Sequence, residues 1–182
     1  DSLQGTTATN VTPNTNTYAG FTAPAKQTVT ISPDGQTVVD YYYTRNSYTV
    51  TLNKGTGISA VTGAGTYLYE AQVTIDATVK SGYNWSNWTG TKASATKALT
   101  FTMPAGNVTN TANATIQTYT ITYDLDGGTV TTANPTNYTV ETANFTLNNP
   151  NKQGYTFSGW TGSNGTTPQT TVTIVSVEPK SI

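Results

Sequence analysis

The sequence repeats itself with a period of roughly 70 residues, and this feature constrains the fold more than any other. The strand-like run Tyr48-Thr-Val50-Thr-Leu52 returns one period later as Tyr119-Thr-Ile121-Thr-Tyr123. Four further matches follow in the same order: Val73-Thr-Ile75 with Phe145-Thr-Leu147, Gly82-Tyr83 with Gly154-Tyr155, Trp88-Thr-Gly90 with Trp160-Thr-Gly162, and Leu99-Thr-Phe101 with Val172-Thr-Ile174. A fixed period of this length predicts tandem copies of one small structural unit.

The repeat pattern predicts three segments. They are residues 1–46, the C-terminal part of a preceding divergent repeat; residues 47–117, a first whole module; and residues 118–182, a second module whose closing strand is incomplete. The first segment carries a Gly20-Phe21 step but lacks the Trp-Thr-Gly step of the later units. We expect the modules to fold separately, to be joined by short exposed linkers near residues 45–47 and 115–118, and to come from a longer array.

Alternation with a period of two indicates β-strands within each module. Tyr48 and Val50 fall on one face of an extended segment, whereas Thr49 and Thr51 fall on the other. The chain contains 43 Thr and 12 Tyr, and β-branched and aromatic residues favour a pleated sheet. We therefore predict an all-β fold, with room for one short helix per module in a connection such as residues 139–146.

The charge and the missing residue types exclude several classes of function. Eight basic and nine acidic residues give a net charge of −1, which offers no electrostatic footprint for a nucleic acid. The chain has no Cys and no His, and this removes zinc sites, thiol nucleophiles and Ser-His-Asp triads. No apolar run reaches the ~18–20 residues of a membrane span. We expect no cofactor, no nucleic-acid partner and no membrane span in these residues.

The acidic residues define no catalytic or metal-binding set. Glycoside hydrolysis needs two carboxyl groups about 5–10 Å apart in a cleft, whereas the nine acids here are scattered among strands and turns. The run Asp124-Leu-Asp126-Gly-Gly begins like a calcium loop, but the twelfth position holds Pro135, which has no side-chain oxygen. We predict that the protein is not an enzyme and has no catalytic, cofactor-binding or metal-binding residues.

Aromatic residues are predicted in two roles. Those that recur at the repeat spacing should form the core of each module, because large rings supply most of the burial available to a small domain: Tyr48, Tyr83, Trp88, Tyr119, Tyr155 and Trp160. Those that the repeat pattern does not explain are candidates for an exposed ligand-binding surface: Tyr41, Tyr42, Tyr43 and Trp85. In a strand, one of three consecutive tyrosines must face away from the other two.

Both modules resemble a known repeat family. The run Tyr119-Thr-Ile-Thr-Tyr-Asp-Leu-Asp-Gly-Gly, followed by Asn149-Pro150 and Gly154-Tyr155-Thr-Phe-Ser-Gly-Trp160, resembles the Listeria–Bacteroides repeat, also called the internalin-type B repeat. The middle segment, with Gly82-Tyr83, Trp88 and Phe101-Thr-Met103-Pro104, is similar to the divergent form of that repeat. The resemblance covers roughly residues 47–175.

The resemblance implies small β-grasp-like modules arranged as an elongated array in a secreted bacterial surface protein. Such a protein would lie outside the cell, at the surface or cell wall of Gram-positive or related bacteria. The family has no shared catalytic residues to carry over. Two functions follow as hypotheses: a structural stalk or spacer whose partners are adjacent repeats of an adhesin-like protein, or a module that binds a host or cell-wall glycan or protein through exposed aromatic residues.

Overall fold

The computed structural model describes residues 4–175, and these residues form an all-β structure, which confirms the predicted fold class. No helix forms within the described range, so the short helix allowed for residues 139–146 is absent there. Instead, the amide of Thr142 donates to the carbonyl of Thr139 in a turn (3.1 Å), and the amide of Thr139 donates to the Thr142 hydroxyl (2.8 Å). Such side-chain hydrogen bonds compete with helix formation.

The chain divides into two compact units whose limits differ from those of the repeats. The first contains the residues up to Lys54, together with Ala60–Ala77 and Asn87–Ala112. The second contains Gly55–Ser59, Thr78–Ser86 and the residues from Asn113 onward. The division passes through the middle repeat. Each unit therefore includes one repeat boundary, near residue 46 or near residue 117.

The first 46 residues form two small antiparallel pairs. Their strands are β1 (Asn10–Val11), β2 (Phe21–Thr22), β3 (Val29–Thr30) and β4 (Thr44–Arg45). Strand β1 pairs with β3, and β2 pairs with β4 so that Phe21 lies opposite Arg45. Since each pair contributes only two residues per strand, this segment depends on side-chain contacts for much of its order.

The middle repeat forms a three-stranded and a four-stranded sheet. Its strands are β5 (Ser47–Lys54), β6 (Ile58–Thr62), β7 (Gly65–Leu68), β8 (Gln72–Val79), β9 (Tyr83–Gly90), β10 (Leu99–Thr102) and β11 (Val108–Ile116). The sheet orders are β10-β8-β6 and β7-β5-β11-β9. Strand β11 runs parallel to β5, with Val108 opposite Val50, whereas β7 runs antiparallel to β5.

The core of the first unit forms where the inward-facing residues of these strands meet. Its apolar members are all buried: Val50, Val73, Ile75, Ala77, Trp88, Met103, Val108 and Ala112. Trp88 is completely buried, and its indole N–H donates to the carbonyl of Lys97 at 2.8 Å. The buried ring thus keeps a partner for its one polar group.

Two buried asparagines hold backbone segments that lie outside regular ladders. Asn110 on β11 is fully buried, accepts from the amide of Lys92 at 2.8 Å and donates to its carbonyl at 2.7 Å. Asn134 makes the same pair of bonds to the amide and carbonyl of Asn148, at 2.7 and 3.0 Å. Each side-chain amide takes the place of a neighbouring strand for the backbone that it binds. The same bonds satisfy the polar atoms of the buried asparagine.

The described part of the third repeat, in the second unit, consists of two-stranded pairs. Its strands are β12 (Tyr119–Thr120), β13 (Asn137–Tyr138), β14 (Phe145–Thr146), β15 (Trp160–Gly162), β16 (Gly165–Gln169) and β17 (Thr173–Ile174). Strands β12 and β13, β14 and β17, and β15 and β16 pair antiparallel. The closing strand, expected near the end of the chain, lies outside the described residues.

Replacing Trp88 with alanine tests the importance of this core. Because the ring is completely buried, we expect Trp88→Ala to lower the free energy of unfolding by about 3–5 kcal/mol. Chemical denaturation of the full chain, followed by circular dichroism, measures the change. Thr51→Ala, at an exposed position on β5, is the control and should cost no more than about 0.5 kcal/mol. Equal effects of the two substitutions would contradict the role assigned to Trp88.

Candidate functional site

A glycine followed by an aromatic residue forms the same turn in the first 46 residues and in each of the two later repeats. We call these the glycine-aromatic turns: residues 18–21, 80–83 and 152–155. In each turn the amide of the aromatic residue donates to the carbonyl three residues earlier, at 3.2, 3.2 and 3.1 Å. The glycines Gly20, Gly82 and Gly154 have φ of +81°, +74° and +80°. A positive φ at the third position is typical of a type II turn and favours glycine.

The first glycine-aromatic turn is covered by the repeat that follows it. The amide of Asn46, at the repeat boundary, donates to the carbonyl of Gly20, and the amide of Tyr69 donates to the carbonyl of Asn46, both at 2.8 Å. The ring of Tyr69 lies where a Cβ atom on Gly20 would be. It also packs edge-on against Phe21, with ring centroids 5.4 Å apart. The first turn is therefore covered by backbone and side-chain atoms of the following repeat.

The second glycine-aromatic turn is covered in the same way. The amide of Gln117 donates to the carbonyl of Gly82 at 2.8 Å, and Val140 occupies the space that a Cβ atom on Gly82 would fill. The hydroxyl of Tyr83 donates to the carboxylate of Glu141. The pKa of Tyr83 is therefore raised above its ordinary value. The hydrogen bond to Glu141 is the largest cause, and desolvation and the negative charge of Glu141 add to it.

The two contacts are equivalent, and we call each of them a junction. Asn46 and Gln117 are separated by the same interval that separates Tyr48 from Tyr119, and so are Tyr69 and Val140. The sequence pattern did not predict the junction. Its residues occupy equivalent positions in successive repeats, but the residue types at these positions differ. Most residues of the two expected linkers are exposed, and Asn46 and Gln117 within them are half-buried. The linker backbone at both repeat boundaries is hydrogen-bonded to the preceding turn.

The third glycine-aromatic turn is open within the described part of the chain. No described atom lies within 4 Å of the Cβ position of Gly154, and Tyr155 is 72% exposed. The ammonium group of Lys152 makes a cation–π contact with Tyr155 and lies 4.6 Å from the ring centroid. The assignment of Tyr155 to a core is therefore wrong. At the first two turns the cover comes from the following repeat, so repeat spacing alone does not bury this position.

The other residues assigned to a core are buried to different degrees. Trp160 is 9% exposed, and its indole N–H donates to the side-chain oxygen of Asn149 at 3.0 Å. Tyr48, Tyr83 and Tyr119 are half-buried. The hydroxyl oxygen of Tyr119 is buried without a hydrogen-bond partner in the described structure.

The candidate ligand-binding tyrosines have different environments. The hydroxyl of Tyr41 donates to the carbonyl of Pro13 at 2.9 Å, and the hydroxyl of Tyr43 donates to the carbonyl of Asn16 at 3.0 Å. Both rings are half-buried, and these hydrogen bonds hold the N-terminal segment against them. Only Tyr42 points outward, with 81% of its surface exposed. Trp85 is half-buried on β9 in the second unit.

Residues 4–175 hold neither a cluster of metal ligands nor a membrane-spanning helix. No group of three or more acidic, His or Cys residues there is arranged to hold a metal ion. That same part of the chain contains no helix long and apolar enough to cross a membrane.

The structure and the junctions define a class of protein built from tandem all-β repeats. Comparison with known families assigns both repeats. Residues 48–116 match the divergent InlB B-repeat domain, and residues 119–180 match the Listeria–Bacteroides repeat domain. The chain therefore belongs to the internalin-type B-repeat family, as the sequence resemblance predicted. Repeats of this type are typical of extracellular surface proteins.

One similar curated protein is Internalin H of Listeria monocytogenes serovar 1/2a. The two sequences are 38% identical over 86 residues, which is 46% of this chain. The matched region spans only 15% of the length of Internalin H. No solved structure matches the chain significantly.

Alanine substitution of two turn glycines tests whether a junction contributes to stability. Gly82→Ala introduces a side chain with a positive φ and also forces Val140 to move, whereas Gly154→Ala introduces the same φ with no described atom nearby. We expect the backbone cost of about 1–2 kcal/mol in both variants. Gly82→Ala should lose a further ~1–3 kcal/mol from overpacking.

The measurement is the free energy of unfolding of the full-length variants in denaturant. Gly154→Ala is the matched control for backbone strain. Equal losses in the two variants would show that the contact of Val140 with the turn does not contribute to stability.

Proposed function

We propose that these repeats are a structural stalk or spacer of a secreted, cell-wall-associated bacterial surface protein of adhesin type, without catalytic activity. Each repeat would be a β-grasp-like module in an elongated array, and its partners would be the adjacent repeats. The observation that carries the proposal is the junction. The same backbone hydrogen bond and the same covered glycine occur at both repeat boundaries.

A junction of this kind suits a spacer because it ties each boundary residue to the preceding turn. The Gly82 carbonyl holds the boundary residue directly, and Val140 packs against the bare backbone of the turn. A hydrogen bond to a boundary residue reduces the rotational freedom that an open linker would leave. In a repeat protein, the stability of the series is approximately the sum of the stabilities of the single repeats and of the contacts between neighbours.

Threonine pairs on the outer faces support the same function. Hydroxyls of cross-strand neighbours form hydrogen bonds in all three repeats, between Thr12 and Thr28 at 2.7 Å, Thr74 and Thr100 at 2.8 Å, and Thr146 and Thr173 at 3.0 Å. Such pairs stabilise a sheet while leaving its surface polar. They allow a chain with only 9% charged residues to present a wettable surface.

Solution scattering of the full chain tests the stalk proposal. Repeats that contact only their sequence neighbours should give an elongated particle. A compact chain of this length has a radius of gyration of about 16 Å. We therefore expect a clearly larger radius and a pair-distance distribution with a long tail. A radius of gyration close to the compact value would contradict the elongated array.

The second candidate function is recognition of a host or cell-wall glycan or protein. One observation favours it: a cavity of about 900 Å³ in the first unit is lined by Tyr18, Tyr41 and Tyr43. Tyr42 is highly exposed on the same strand-like segment. Aromatic faces are suitable stacking surfaces for sugars or for apolar side chains.

A glycan array with the wild-type chain and Tyr42→Ala distinguishes this candidate. Under the stalk proposal, neither protein should bind a glycan tightly, because the hydroxyls of Tyr41 and Tyr43 are already bonded within the protein. Tight binding that is lost in Tyr42→Ala would place the recognition function first. Thr44→Ala, at an exposed position two residues further on, is the matched control.

A further inference from the structure

The first and last strands of the middle repeat lie side by side and run in the same direction. Strand β11 pairs parallel with β5 over five register positions, from Val108 opposite Val50 to Ala112 opposite Lys54. The chain enters this repeat at the N-terminal end of β5 and leaves it at the C-terminal end of β11. We call β5 and β11 the terminal strands.

Tension along the chain would act on the terminal strands in opposite directions. The preceding residues would draw β5 toward its N-terminal end at Ser47, and the following residues would draw β11 toward its C-terminal end at Ile116. Because the strands are parallel, these pulls slide one strand along the other. The hydrogen bonds of a parallel pair are evenly spaced, so all five paired positions share the load.

The ladder between the terminal strands is shielded from water. The side chains of Val50, Val108, Asn110 and Ala112, which lie along it, are buried. Hydrogen bonds are electrostatically stronger in a low-dielectric interior than in water. Burial therefore increases the resistance of this ladder to sliding.

Each terminal strand also has a second neighbour in the four-stranded sheet. Strand β5 pairs with β7 over residues 47–50. On the other side of β11, the amide of Thr91 donates to the carbonyl of Thr109 at 3.0 Å, and the amide of Thr109 donates to the Thr91 hydroxyl at 3.1 Å. The side-chain bonds of Asn110 to the backbone of Lys92 add to this support. These neighbours keep the terminal strands from peeling apart.

We propose that the terminal strands of the middle repeat form a load-bearing clamp, which keeps the repeat folded when tension acts along the chain. The clamp rests on the proposed stalk function, because a stalk that holds a surface protein to a bound target carries tension. It adds a mechanical role to that of a spacer. The resistance has a direction: the clamp is strong when the two strands slide and weak when they are pulled apart from a shared end.

Single-molecule force spectroscopy on the full chain tests this directional strength. The chain has no Cys, so two introduced cysteines are its only attachment points for DNA handles. The sliding variant carries Ser47→Cys and Thr115→Cys, at opposite ends of the terminal strands. The matched control carries Lys54→Cys and Thr115→Cys, at the shared end. All three positions are exposed.

Each variant also carries alanine at the position that the other uses for its handle, so both are substituted at the same three positions. We expect the sliding variant to unfold at a force about twofold higher or more, since unfolding under force follows the unfolding rate and five positions must break together. The length released, at most about 3.3–3.6 Å per residue between the handles, identifies the event as unfolding of the middle repeat.

Equal unfolding forces in the two variants, or a lower force in the sliding variant, would overturn the clamp. Solution scattering decides the stalk proposal separately. An elongated particle with equal unfolding forces would remove the clamp and leave the stalk in place. A compact particle with a higher force in the sliding variant would contradict the stalk alone.

Discussion

Each repeat boundary depends on a glycine in the left-handed backbone conformation. Only glycine adopts such a positive φ without strain, and the missing side chain leaves room for a residue of the next repeat. At Gly20 and Gly82 that space is occupied by Tyr69 and Val140. The glycine carbonyls accept hydrogen bonds from the boundary residues. One backbone feature therefore shapes the turn, tethers the linker and positions the neighbouring repeat.

This dependence on neighbours follows from the small size of the repeats. A unit of roughly 70 residues buries only about 60% of the surface that its unfolded chain exposes, less than a larger domain does, so contacts at its ends matter for stability. The middle repeat has two complete sheets and a fully buried Trp88. Up to residue 175, the third repeat contains only two-stranded pairs, and its tryptophan lines an open groove. In the middle repeat, β11 supplies both backbone partners and buried apolar side chains.

Features that depend on the local sequence pattern could be predicted from the sequence. Features that depend on contact with a residue far along the chain could not. Alternation identified the all-β class, and the repeat period related Trp88 to Trp160. The same period placed Tyr155 in a core, but the structure leaves this ring 72% exposed. The role of Asn110 could not be inferred, because one asparagine among 17 carries no signal until its backbone partner is known.

Native-state amide hydrogen exchange at the repeat boundaries tests the central claim most directly. The amides of Asn46 and Gln117 donate to the turn carbonyls of Gly20 and Gly82, so opening them requires breaking a junction. We predict that both amides exchange as slowly as neighbouring strand amides, such as that of Val50, because boundary and repeat open together. Exchange at the rate of an unprotected linker, with Val50 still protected, would show that the repeats are joined loosely and would contradict the claim.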